Sequence, residues 1–89
     1  MSLHEVYKAL ADPTRREILS MLQKHSMPAG KISAAFQLTG ATVSHHLSIL
    51  KQAGLVSEER RGKQIIYQLD ASVLDEVLRW IINLKGDAE

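Results

Sequence analysis

Four short polar side chains within seven residues, Thr42, Ser44, His45 and Ser48, form the group in this 89-residue sequence best suited to chemistry. Each can donate and accept hydrogen bonds, and none is long enough to hold a helix away from a surface it approaches. At about 100° per residue, with Val43 as the core direction, Leu47 and Leu50 fall on Val43's side and Ala41, His45, Ser48 and Gln52 fall opposite. Thr42, Ser44 and Ile49 flank that outer face, and Lys51 reaches its edge. A solvated helix face is usually rich in Lys and Glu, yet between Gly40 and Ala53 there is one lysine and no acid. A helix with this outer face suits the major groove of double-stranded DNA, where close approach and exchange with base edges are both needed. Ile49 is expected to pack against a preceding helix, and His46, nearer the core side, is read as structural.

A catalytic reading of Ser44 and His45 is not expected, because neighbours on a helix do not face each other and no buried carboxylate is identifiable to orient the histidine. The sequence has no cysteine, which excludes disulfides, thiolate metal sites and cysteine nucleophiles. His4, His25, His45 and His46 are not spaced as a ligand set. Neither metal nor cofactor is expected.

A second group is cationic. Arg60, Arg61 and Lys63 surround Gly62 between two β-rich runs, Leu55-Val56-Ser57 and Gln64 to Leu69, which reads as a hairpin with a basic tip. Such a tip can lie along phosphates or enter the minor groove, although Glu58 and Glu59 weaken the charge argument. Arg15 and Arg16 open a helix and are candidates for a phosphate contact or a surface ion pair. Residues 1–69 hold nine Lys or Arg against five acids, and residues 70–89 hold two against five. The body is thus basic at +4 and the tail acidic at −3, an asymmetry suited to DNA on one side.

These groups need elements to position them. Leu3, Val6, Tyr7 and Leu10 recur at helical spacing and predict a helix ending near Ala11. Asp12-Pro13 reads as a cap and first turn of a second helix, to about Lys24, burying Ile18, Leu19 and Leu22. Pro28 can open a short third helix with Ile32, Ala35 and Phe36 inward. Gln37-Leu38-Thr39 leads directly to a fourth, capped by Thr39 and closed by Gly54. After the hairpin, Asp70 caps a last helix in which Leu74, Leu78, Ile81 and Ile82 line one side, and Val73, Val77, Trp80 and Leu84 another. A helix apolar on two sides needs two partners, so one face is assigned to the chain's own core and the other to a symmetry mate. The fold class that follows is mainly α with a small β-hairpin. It is a winged helix-turn-helix, ordered helix, helix, helix, helix, hairpin, helix, in one domain over residues 1–89. No apolar run approaches the roughly 20 residues that span a bilayer, and residues 1–5 lack a secretory pattern, so a cytoplasmic protein is expected.

The stretches 9–19 (ALADPTRREIL), 41–56 (ATVSHHLSILKQAGLV) and 61–69 (RGKQIIYQL) resemble the ArsR/SmtB family of bacterial winged-helix repressors. Within the family the chain resembles the SdpR-type autorepressors, through Ala29-Gly30-Lys31-Ile32 and a tryptophan in the last helix. The resemblance implies a homodimer joined through helices at about 3–11 and 71–85, with Leu3, Val6, Leu74, Val77, Leu78, Trp80, Ile81 and Leu84 at the interface. It further implies repression relieved by an inducer, with a protein partner, for the SdpR type a membrane-bound one, as a possible source of relief. Protein-interaction use of the same fold is the competing expectation. The chain departs from metal-sensing members: Pro28 and Gly30 stand where those have a Cys-x-Cys pair, and residues 70–89 contain no histidine. Gly40-Ala41 replaces a Gln-Pro or Gln-Ser pair, so base contacts rest on Thr42, Ser44 and His45.

Overall fold

In the computed structural model, which describes residues 2–86, the elements are α1 (Leu3–Leu10), α2 (Pro13–Lys24), β1 (Met27–Pro28), α3 (Ala29–Phe36), α4 (Gly40–Gln52), β2 (Val56–Arg61), β3 (Gln64–Leu69) and α5 (Ser72–Lys85). The order matches the sequence reading except for β1. Met27 and Pro28 pair antiparallel with Tyr67 and Ile66, making a three-stranded sheet β1-β3-β2. A two-residue strand has no alternation to read, and a proline is tolerated because β1 lies at the sheet edge.

Local chemistry explains most boundaries. Ser2 caps α1 by accepting the Glu5 N–H, and Asp12 caps α2 by accepting the Arg15 N–H at 3.0 Å. That bond is the main reason the Asp12 carboxyl titrates below its ordinary value of 3.8. With its folded pKa depressed, the cap contributes stability above that ordinary value and loses it as pH falls through the lowered one. Between α3 and α4, Gln37 takes a left-handed conformation (φ 56°), while Leu38 N–H reaches Ser33 O and Gln37 N–H reaches Ala34 O. Gly54 (φ 79°) ends α4 with the same pair of bonds, from Leu55 to Leu50 O and from Gly54 to Lys51 O. A side chain at Gly54 would be strained, and its Cβ would lie 3.0 Å from Val73 Cγ2.

The core joins Val6 and Ala9 of α1, Ile18, Leu19 and Leu22 of α2, Ile32 of α3, Val43, Leu47, Ile49 and Leu50 of α4, Leu55 and Val56, and Val77 of α5. Four expectations change. Ala35 is exposed, with α3 turning Ile32 inward and Phe36 only partly so. Asp70 does not cap α5; its carboxylate accepts bonds from Ser72 N–H and Oγ–H, and the helix starts at Ser72. Val6 and Val77, expected at a subunit interface, are 0% and 9% exposed in the chain's own core. The fourth concerns α5, whose apolar residues divide along its length rather than around it. Val73, Leu74 and Val77 pack on the body, while Leu78, Trp80, Ile81, Ile82 and Leu84 are 45–70% exposed. Among the described residues no helix is long and apolar enough to cross a membrane.

Candidate nucleic-acid interface

The outer face of α4 is held out by its inner one. Val43, Leu47, Ile49 and Leu50 are buried, which forces Ala41, Thr42, Ser44, His45, Ser48, Lys51 and Gln52 to the surface, where all are exposed. At the entry to the helix, Thr39 Oγ1 accepts the Thr42 N–H at 3.2 Å and donates to Thr42 Oγ1 at 2.9 Å. Thr42 is thereby held in place, with its own hydroxyl proton free to donate.

The hairpin stands beside this face. Strands β2 and β3 pair from Val56↔Leu69 to Arg61↔Gln64, leaving a two-residue loop, Gly62-Lys63. Gly62 has φ 62° and Lys63 a negative φ, the sign pattern of a Gly-first hairpin turn whose twist matches the strands. Because side chains alternate along a strand, Glu58 and Arg60 share a face with Ile65 and Tyr67 across the ladder. A polar recess of about 150 Å³ lies between that face and α4, lined by Ser44, Leu47, Ser48, Lys51, Glu58 and Tyr67. The helix and wing therefore form one continuous surface carrying Thr42, Ser44, His45, Ser48, Lys51 and Arg60.

Two of the expected cations, one on this surface and one at the wing tip, are held by acids of β2. Lys51 Nζ lies 3.0 Å from Glu58 Oε1, and an Arg61 terminal nitrogen lies 3.0 Å from Glu59 Oε1. These are the ion pairs among the described residues, and neither Arg60 nor Lys63 belongs to one. Adjacent acids in β2 were legible as a weakening of the basic tip. The Lys51–Glu58 pairing was not, since it depends on how the hairpin folds back against α4.

Arg15 and Arg16 have a different role from both readings made of them. Arg15 donates through Nε to Ala9 O (2.9 Å) and through one terminal nitrogen to Lys8 O (2.8 Å), and its other terminal nitrogen lies 3.3 Å from His46 Nδ1. Arginine only donates, so Nδ1 of His46 is the acceptor in this contact. Arg16 donates to Leu10 O at 2.7 Å. Both guanidinium groups thus satisfy carbonyls left open at the end of α1, and Arg15 additionally ties that end to α4. His46 has the structural role expected of it, through a partner that sequence spacing does not reveal.

A second surface lies at the far end of α5. Leu3 of α1 meets Glu76, Val77, Arg79 and Trp80 of α5 around an open apolar recess of about 480 Å³. Beside it are the exposed side chains of α5 and, on α1, Tyr7, which is 57% exposed. Tyr7 and Ile82 were not assigned to an interface from sequence, although their place in the apolar spacing was the available signal. Among the described residues no group of three or more His, Asp or Glu side chains is placed to hold a metal ion.

This architecture and sequence have clear relatives. Residues 12–58 match the family model described as bacterial regulatory protein, arsR family. The chain is 44% identical over 87 residues to the transcriptional repressor SdpR of Bacillus subtilis, covering 96% of this chain and 97% of that one. An ArsR-like transcriptional regulator from Rhodococcus sp. RHA1 superposes with a TM-score of 0.89 at 28% identity, over 93% of this chain and 76% of the other. The solution structure of a homodimeric winged helix-turn-helix DNA-binding domain from Mycobacterium bovis superposes at 0.76 and 27% identity, over 98% and 82% of the two chains. The buried inner face of α4, the exposed polar outer face, the adjoining hairpin and these matches agree, and the chain belongs to the arsR family of bacterial regulatory proteins.

Proposed function

We propose that the protein is a homodimeric repressor that reads an inverted-repeat operator, including one upstream of its own gene, with α4 in the major groove and the β2–β3 hairpin on the flanking backbone. The observation that carries this reading is the outer face of α4, where Thr42, Ser44, His45 and Ser48 are all exposed beside a wing whose Arg60 and Lys63 face no carboxylate partner within the described residues. The unpartnered apolar end of α5 supports a second copy, and the related M. bovis domain is homodimeric. Two-fold pairing would set the recognition helices for half-sites about 34–36 Å apart. We place Leu3, Leu78, Trp80, Ile81 and Leu84 at that interface, joined by Tyr7 and Ile82, with Val6, Leu74 and Val77 supporting it from the core.

Ser44→Ala or His45→Ala is expected to cost about 1–3 kcal/mol on operator DNA and little on random DNA, because base contacts carry sequence information and phosphate contacts do not. Competition binding against both DNAs checks this, and equal losses on both would remove base reading from these residues. Lys63→Ala should weaken both DNAs and make the salt dependence shallower by about one in log–log slope. An unchanged slope would take the wing tip off the phosphates.

A further inference from the structure

We propose that Glu58 and Glu59 restrain the protein's sequence-independent attraction to DNA by holding Lys51 and Arg61 until α4 docks closely in its groove, a role that rests on the DNA-binding reading above. Both ion pairs among the described residues involve the wing, Lys51–Glu58 between wing and α4 and Arg61–Glu59 on the opposite face of β2 near its tip, and each joins a candidate phosphate-binding cation to an acid of β2. Lys51, Arg60, Arg61 and Lys63 bring four positive charges to the end of α4 and the wing, and the two glutamates offset half of them. The placement of Glu58 follows from the fold. Its position opposite Tyr67 puts it in the recess between wing and helix, where it meets Lys51 in the last turn of α4.

The pairs suit a releasable restraint. The side chains are 52% and 34% exposed for Lys51–Glu58 and 60% and 50% for Arg61–Glu59, and pairs this exposed are weak and readily exchanged. At a distance from DNA, a paired cation contributes almost no net charge, so the loose complex, which depends on phosphate neutralisation, loses that attraction. At contact distance a phosphate can replace the carboxylate. A complex locked in register by base contacts uses a released cation only where a phosphate already lies beside it. A complex free to shift register can use one anywhere, so removing the acids should favour random DNA more than operator.

The test compares wild type with Glu58→Gln, Glu59→Gln and the double variant, titrated against a labelled random-sequence duplex and a duplex from upstream of the gene, across a salt series. Each substitution is expected to raise affinity for the random duplex by about threefold to tenfold and to steepen its salt slope by up to about one. The gain on the upstream duplex should be smaller, lowering the preference between the two. Glu58→Gln should give no gain when Lys51→Gln is already present, since the two act as a pair. Asp75→Asn, on α5 away from the wing, makes the same charge change and should leave binding to both duplexes as in wild type. Unchanged random-duplex affinity and slope in the glutamate variants, equal gains on both duplexes, or an equal gain from Asp75→Asn would each overturn the inference while leaving DNA binding intact. A wild-type protein with no salt-dependent binding to either duplex would overturn the DNA-binding reading and this inference together.

Discussion

Ile81→Asp is expected to turn the protein into a folded monomer and to reduce its affinity for operator DNA by at least about 100-fold. Ile81 is 47% exposed and sits among Leu78, Trp80, Ile82 and Leu84 on the part of α5 that has left the subunit's own core. Burying one such side chain is worth roughly 1.5–3 kcal/mol, and two-fold symmetry makes each substitution count on both subunits. A carboxylate at that position must also give up water without a partner, which adds to the loss. About 3 kcal/mol corresponds to roughly 100-fold in association. A monomer engages one half-site instead of two and forfeits the second recognition helix. Sedimentation velocity reads the oligomer, anisotropy reads operator affinity, and circular dichroism checks that the fold persists. A variant that remains dimeric with wild-type operator affinity would contradict the placement of the interface on α5.

Arg15→Ala is expected to lower stability by about 2–4 kcal/mol, more than either surface ion pair contributes. The guanidinium donates to two carbonyls at the end of α1 and to His46 of α4; a bond to a charged group is worth about 1.5–3 kcal/mol net where buried, and the partial exposure of this group reduces the sum. For a domain of this size the loss corresponds to a fall in Tm of roughly 10–30 °C. Arg15→Lys is the sharper variant. It keeps the charge, but a lysine ammonium cannot span three acceptors that a planar, forked guanidinium reaches together, so most of the loss should remain. Thermal and urea unfolding measure both. If Arg15→Lys lies within about 0.5 kcal/mol of wild type, the residue behaves as an ordinary surface cation.

The parts of this molecule that were legible in the sequence are those governed by local rules. Helix periodicity identified the inner residues Val43, Leu47 and Leu50, and alternation with a glycine identified the hairpin. The caps Asp12 and Thr39 and the left-handed Gly54 were readable because each uses a residue type whose chemistry is specific to its position. The parts that were not legible depend on pairings between distant segments. β1 exists because β3 provides an edge for it, Arg15 finds His46 because α2 crosses the end of α1 near α4, and Lys51 finds Glu58 because the wing folds against the helix. The apolar pattern of α5 shows that the helix needs partners, but its angular spacing does not reveal how far along its length the body extends. That length places Val77 in the core and leaves Leu78 to Leu84 outside it.

The central claim, sequence-specific DNA binding through α4, is tested most directly by fluorescence anisotropy with DNA from upstream of the protein's own gene and a scrambled duplex of equal length, over a range of salt concentrations. Tight binding to the upstream DNA is expected, steeply weakened by salt, with a preference over the scrambled duplex of about 10³-fold or more. Weak binding of equal strength to both duplexes at every salt concentration would contradict it.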